Sequence, residues 1–221
     1  TGRFMAISAR ARLMAQLGLI KAAGDELALS GQDQNQDDAR TLLALGLSWS
    51  GLKRPDESRR YLEQVPSYAP EYITAQLSLA RTLAEGGRYD EALKILRALA
   101  DSSGAGNRRA AAVGPMFQLL VVADRPAEAL ELANAVRAGL PEKTQSWINW
   151  TLLSASAARD AGEYDLVINL LKPVSAISGG EAALLDIALS QLIQNKPAEA
   201  RAGVAKMPDT APAYGATFTQ L

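Results

Sequence analysis

Acidic side chains stand in adjacent pairs at Asp37-Asp38, Asp56-Glu57 and Asp90-Glu91, an arrangement that general acid–base chemistry or a hard cation would use. Each pair falls in a polar stretch or at a helix start, where solvation and the positive end of the helix dipole account for it without catalysis. Trp147, Asn149 and Trp150 form a second cluster, because indoles beside an amide can stack on a sugar ring or a base. One indole is expected in the core, and aromatics at 5% of the chain are too few for an RNA groove. Gly86-Gly87 and Gly179-Gly180 lack the following lysine and hydroxyl residue of a phosphate loop, so they read as turns. The chain has no cysteine and no histidine, which removes thiol nucleophiles, Ser-His-Asp triads, imidazole bases and the usual zinc sites. No catalytic residue, metal site or cofactor is expected, and the chain reads as a non-enzyme.

The 221 residues are 48% apolar, enough for one domain or two small ones. With 23 basic and 24 acidic side chains the net charge is −1, so no overall field draws the chain onto nucleic acid or an anionic membrane. The most apolar window, 110–123, is interrupted by Gln118, Gly114 and Pro115 and falls short of the about 20 residues that a spanning helix needs, so no membrane insertion is expected. Arg3, Arg10, Arg12 and Lys21 are interleaved with Leu13, Leu17 and Ile20 near the start, which reads as an end helix docking its apolar stripe on a neighbour. The chain opens at Thr1 without a leader pattern, as expected of a processed or excised form with flanking domains elsewhere.

One helix start recurs along the chain. Arg54-Pro55-Asp56-Glu57-Ser58, Gly87-Arg88-Tyr89-Asp90-Glu91-Ala92, Arg125-Pro126-Ala127-Glu128-Ala129, Gly162-Glu163-Tyr164-Asp165-Leu166-Val167 and Lys196-Pro197-Ala198-Glu199-Ala200 place Ser58, Ala92, Ala129, Val167 and Ala200 at spacings of 34, 37, 38 and 33 residues. Proline or tyrosine stands at the first turn, where proline loses nothing because that amide lacks a helical partner, and acids follow near the positive dipole end. Before each start lies a second helical stretch with apolar residues three and four apart, such as Leu42, Leu45 and Trp49. The repeating unit is helix, short turn, helix.

These residues resemble the tetratricopeptide repeat, a helical hairpin of about 34 residues. Leu42, Leu45, Gly46, Trp49, Ser58, Leu62, Val65 and Pro70 fill its signature positions in order, and Leu184, Ile187, Ala188, Ala200, Val204, Met207 and Pro212 do so with one departure at Gln191. Small residues are needed where the paired helices cross, which sets Gly46 against Ser58, Ala80 against Ala92, and Ala188 against Ala200. The expected division is 1–38 as a degenerate first hairpin with a turn at Gly24-Asp25, repeats at 39–72, 73–109, 110–147, 148–180 and 181–212, and the start of a further helix at 213–221. Phe117 at a small position and Gly114-Pro115 in the first helix predict that the third unit's helix is shortened or kinked.

The resemblance implies an all-α fold, a right-handed α–α superhelix whose first helices line a concave groove that binds a protein or peptide. The family's groove positions fall on Arg40, Leu43, Leu47 and Ser50, on Thr74, Leu77, Arg81 and Glu85, on Gln118, on Asn149, Leu152, Ser156 and Arg159, and on Leu185, Leu189 and Leu192. The arginines suit carboxylates of an extended peptide, with Gln118 and Asn149 holding its backbone. The lysine and asparagine set with which some relatives clamp chaperone tails is lacking. The expected role is a scaffold or adaptor without nucleic-acid partners, set in a bacterial envelope or secretion assembly and the periplasm ahead of the cytoplasm. The alternatives are a ligand-sensing domain of a regulator or a polysaccharide-contacting part of an export machine, each with a small molecule or sugar as ligand.

Overall fold

The computed structural model describes residues 6–7, 9–11, 13–14, 17, 19–32, 39–101, 106–177 and 181–205. Among the described residues there is no strand; after helical residues at 6–7, 9–11 and 13–14, eleven helices follow in order: α1 (Ile20–Gln32), α2 (Ala39–Gly51), α3 (Pro55–Leu62), α4 (Tyr72–Glu85), α5 (Tyr89–Asp101), α6 (Gly106–Val122), α7 (Pro126–Ala138), α8 (Gln145–Asp160), α9 (Tyr164–Ser175), α10 (Glu181–Ile193) and α11 (Pro197–Val204). The chain divides into two compact units, Thr1–Leu119 and Leu120–Leu221.

Five turns share one construction. Lys53, Gly87, Asp124, Gly162 and Asn195 all take positive φ, between 55° and 79°, the left-handed region. The next amide then reaches back over the turn, Arg54 to the Trp49 carbonyl, Arg88 to Leu83, Arg125 to Leu120, Glu163 to Ala158 and Lys196 to Gln191, at 2.8 to 3.1 Å. This is a Schellman-type helix end, which satisfies carbonyls that would otherwise lack donors, and the next helix opens one residue later.

In the first unit α2 and α3 cross at Gly46 and Ser58. A Cβ on Gly46 would run into the Leu62 side chain, and the Ser58 hydroxyl donates to the Gly46 carbonyl at 2.8 Å. Ala80 and Ala92, the expected contact of α4 and α5, are both buried. Gly24 and Asp25 lie inside α1 and form no turn, correcting the expectation. A Cβ on Gly24 would sit 3.4 Å from the Trp49 ring, an ordinary packing distance. Trp49 joins Ala11, Ala23, Leu27 and Leu52 in one apolar cluster, so the N-terminal stretch docks on its neighbour, although Leu13 and Leu17 of the expected stripe are exposed.

The third first helix is not shortened. α6 runs unbroken for 17 residues through Pro115, the longest of the described helices. Proline inside a helix loses a backbone bond at about 3 kcal/mol. Burial of Ala112, Met116, Phe117, Leu119 and Leu120 opposes that loss, each large side chain worth about 1.5–3 kcal/mol. In the second unit Trp147, Ala155, Ala158, Val167, Leu171 and Val174 belong to one core, and Ala188, Ala200 and Val204 to another. Residues 206–221, with Met207, Pro212 and the expected further helix, lie outside the described residues, as does the acidic pair Asp37-Asp38.

Candidate binding surface

In the first unit α2 and α4 are joined by a buried 2.7 Å hydrogen bond between Ser50 and Thr82. Ser50, expected on the groove, is therefore taken up between helices and is not available to a partner. Arg40 reaches from α2 to Glu71 at the N-cap of α4, with its Nε 3.0 Å from the carboxylate, and its side chain stays 79% exposed. Leu43 and Leu47 follow one and two turns along α2, both half-buried. On α4 Thr74 is exposed, Leu77 is half-buried, and Arg81 and Glu85 are exposed with 3.9 Å between their charged atoms. Gln118 is exposed on α6.

In the second unit Asn149 is exposed on α8, where its carbonyl oxygen accepts from Gln145 at 2.9 Å. Arg159, half-buried, donates to Asp186 on α10 at 3.1 Å and to Ser156 on its own helix at 3.4 Å. Leu152 and Leu189 are exposed, and Leu185 and Leu192 are half-buried. Trp147 is a core residue and cannot stack on a sugar, which removes one half of the indole pair; Trp150 is half-buried. Each unit offers guanidinium groups in exposed or half-exposed ion pairs beside leucines, on the faces of α2 and α4 in the first and of α8 in the second. Such groups can exchange an internal carboxylate for one on a partner, and the leucines can take its apolar side chains. Among the described residues no cluster of histidine, cysteine or acids could hold a metal ion, and no helix is long and apolar enough to cross a membrane.

Spacing did not disclose a second set of ion pairs. Asp56 on α3 pairs with Arg88 at 3.0 Å, and Arg59 with Glu91 at 2.9 Å, linking consecutive second helices. Asp165, the counterpart of Asp56, meets Gln194 at 2.9 Å and Lys196, the counterpart of Arg88, at 3.6 Å. The hydrogen bond from Arg88, with help from Arg59, holds the Glu91 carboxyl below its ordinary value, and Gln194 with Lys196 does the same for Asp165. The signal was an acid three residues after Lys53, Gly87 and Gly162, namely Asp56, Asp90 and Asp165, with a base one residue after the next turn residue, namely Arg88, Arg125 and Lys196.

Repeated hairpins with one turn geometry and small residues at the crossings define an α-helical repeat protein. A family model described as tetratricopeptide repeat matches residues 51–113. No curated protein matches the chain. Among solved structures, a Podospora anserina putative kinesin light chain with nearly identical TPR-like repeats is 18% identical, with a TM-score of 0.54 over 88% of this chain and 97% of that one. A tetratricopeptide repeat protein from Parabacteroides merdae is 16% identical, with a TM-score of 0.56 over 93% and 79%. The Pseudomonas aeruginosa pilF structure is 15% identical, with a TM-score of 0.50 over the whole of both chains. Residues 51–113 thus match the tetratricopeptide-repeat family, and the chain has the all-α fold of tetratricopeptide-repeat proteins. The fold serves in general as a non-catalytic scaffold for protein interactions.

Proposed function

We propose that this chain is a non-enzymatic adaptor that holds an extended protein segment on the exposed faces of its first helices. One observation carries the reading: on α2 and α4, consecutive first helices of one unit, Arg40 and Arg81 stand exposed beside leucines at helical spacing. A segment with alternating acidic and apolar side chains suits that surface, its carboxylates taking the guanidinium groups from Glu71 and Glu85. Gln118 supports the first unit's surface, and Asn149, Ser156 and Arg159 supply the corresponding set in the second. The setting we assign is a bacterial envelope or secretion assembly, supported by the alanine-rich, loosely conforming repeats.

The test is affinity capture of partners by the chain and by a variant with Arg40→Ala, Arg81→Ala and Arg159→Ala together. Loss of a captured protein with unchanged helical circular dichroism is the expected result. Undiminished capture moves the interface to another surface.

A further inference from the structure

The connection between α3 and α4 carries Pro66-Ser67-Tyr68-Ala69-Pro70, and the Tyr68 side chain in its middle is 89% exposed. The fold gains nothing from holding a ring of that size in water. Yet the backbone beneath it is fixed from several sides. Proline sets φ at Pro66 and Pro70, Ala69 donates its amide to the Pro66 carbonyl at 3.0 Å, and Tyr72 donates to Ala69 at 3.1 Å. Arg108, in the first turn of α6 and 41 residues beyond Ser67, donates Nη2 to the Ser67 carbonyl at 2.8 Å. Its guanidinium also lies 5.1 Å from the centre of the Tyr72 ring, within reach of the ring's negative face. Both neighbours of Tyr68 are therefore tied back into the first unit.

The same contacts gather positive charge around the ring. Arg40 at the start of α2 reaches Glu71, and Arg108 reaches Ser67 and Tyr72, so the starts of α2, α4 and α6 share one edge of the unit. Arg109, next to Arg108, is exposed. Of the acids there, Glu71 already carries Arg40, and Asp101 at the end of α5 is outnumbered by Arg108 and Arg109. The matching connection between α7 and α8, Leu140-Pro141-Glu142-Lys143, has no aromatic and sets opposite charges side by side. A repeat hairpin thus needs neither the ring nor the surplus of arginine at this place.

We infer that this edge is a docking surface separate from the first-helix faces, and that its partner is an acidic segment of another protein. Tyr68 is the anchor. A ring presented on a fixed backbone loses little conformational freedom when it is covered, and tyrosine and arginine commonly dominate such contacts. Carboxylates suit Arg109 by paired hydrogen bonds and suit Tyr68 by accepting its hydroxyl proton. Arg108, already engaged by Ser67 and Tyr72, positions the ring. Nucleic acid would call for a broader positive field than a chain of net charge −1 supplies. The inference does not depend on the reading of the first-helix faces.

The test selects peptides from a random phage-displayed library on the full chain and measures each as a free fluorescent peptide against variants of both surfaces. The expected yield includes peptides rich in aspartate and glutamate whose affinity falls about tenfold or more with Tyr68→Ala and with Arg109→Glu. Those peptides keep their affinity for the variant with Arg81→Ala and Arg159→Ala. Peptides that belong to the first-helix faces show the opposite pattern, so the two readings fail separately. Tyr68 and Arg109 are exposed, and unchanged binding of first-helix peptides to both variants shows that the fold is kept. A selection with no peptide dependent on Tyr68 and Arg109, or with dependent peptides that lack acids, overturns the proposal.

Discussion

Ser58 donates its hydroxyl to the Gly46 carbonyl across 2.8 Å, so the crossing of α2 and α3 is fastened by the two small residues that permit it. A methyl group on Gly46 would meet the Leu62 side chain, which is itself fully buried. Gly46→Ala is therefore expected to destabilise by about 1–2 kcal/mol, because overpacking of about 1–3 kcal/mol outweighs a helix-propensity gain of up to about 1 kcal/mol. Gly51→Ala, in the last turn of the same helix, is the contrast. Nothing lies within 4 Å of a Cβ there, so a propensity gain of up to about 0.5 kcal/mol should appear unopposed. Urea denaturation of both variants checks the pair, and equal signs would discredit the crossing argument.

The five left-handed turn residues differ in how well they suit their conformation. Gly87 and Gly162 enter it freely, asparagine and aspartate tolerate it, and Lys53 at φ 57° gains nothing from it. Lys53→Gly is expected to raise stability by about 0.5–1 kcal/mol, the relief of about 1–2 kcal/mol of backbone strain being reduced by the greater entropy of glycine in the unfolded chain. Gly162→Ala should lower stability by about 1 kcal/mol at a matching position, since nothing crowds its Cβ and conformation alone is at issue. Thermal melts of the two variants give the comparison.

Those turns show how far the sequence could be read. The helix starts repeat in their side chains, because proline and acids are placed by local backbone physics, and the hairpin fold follows from them. The turn residues repeat only in backbone angle: lysine, glycine, aspartate, glycine and asparagine share no side-chain signature. Gly24-Asp25 looked like a turn and proved helical, the glycine lying in a helix that packs on Trp49, 25 residues away. At Pro115 the helix is not shortened, the buried face of α6 outweighing a local penalty. For the binding surface, family positions identified the exposed Arg40 and Arg81 but also chose Ser50, whose partner Thr82 lies 32 residues on. Periodicity reports which face a residue takes, not what meets it there.

Stability should fall on the acid side through the pairs that link consecutive second helices. Glu91 is held below its ordinary value of 4.5, first by the hydrogen bond from Arg88, and Asp165 below 3.8, first by Gln194. A depressed carboxyl binds fewer protons folded than unfolded, so its contribution is present above the ordinary value and is lost as pH falls through the folded one. Glu91→Gln should therefore flatten the decline of stability below pH 4.5 and leave its pH dependence near neutrality unchanged. Molar salt should reduce the same contribution, since these groups are exposed to solvent. Melting temperature against pH for the chain and the variant is the measurement.

The Ser50–Thr82 bond has a direction that mutation can expose. Thr82 donates its only hydroxyl proton to the Ser78 carbonyl at 2.8 Å, so across the 2.7 Å contact Ser50 donates and Thr82 accepts. Ser50→Ala removes the donor and leaves Thr82 with a bonded proton and one vacant lone pair, a loss of about 1 kcal/mol. Thr82→Val takes away the acceptor and strands the Ser50 hydroxyl in a buried site, which is expected to cost about 1–3 kcal/mol. The double variant should be less destabilised than the sum of the two by about 0.5–1 kcal/mol, because with Ser50 gone no donor is stranded. A double-mutant cycle by urea denaturation tests this. A Thr82→Val loss no greater than that of Ser50→Ala would show that the proton runs the other way, and a vanishing coupling would show that this bond adds nothing to the contact of α2 with α4.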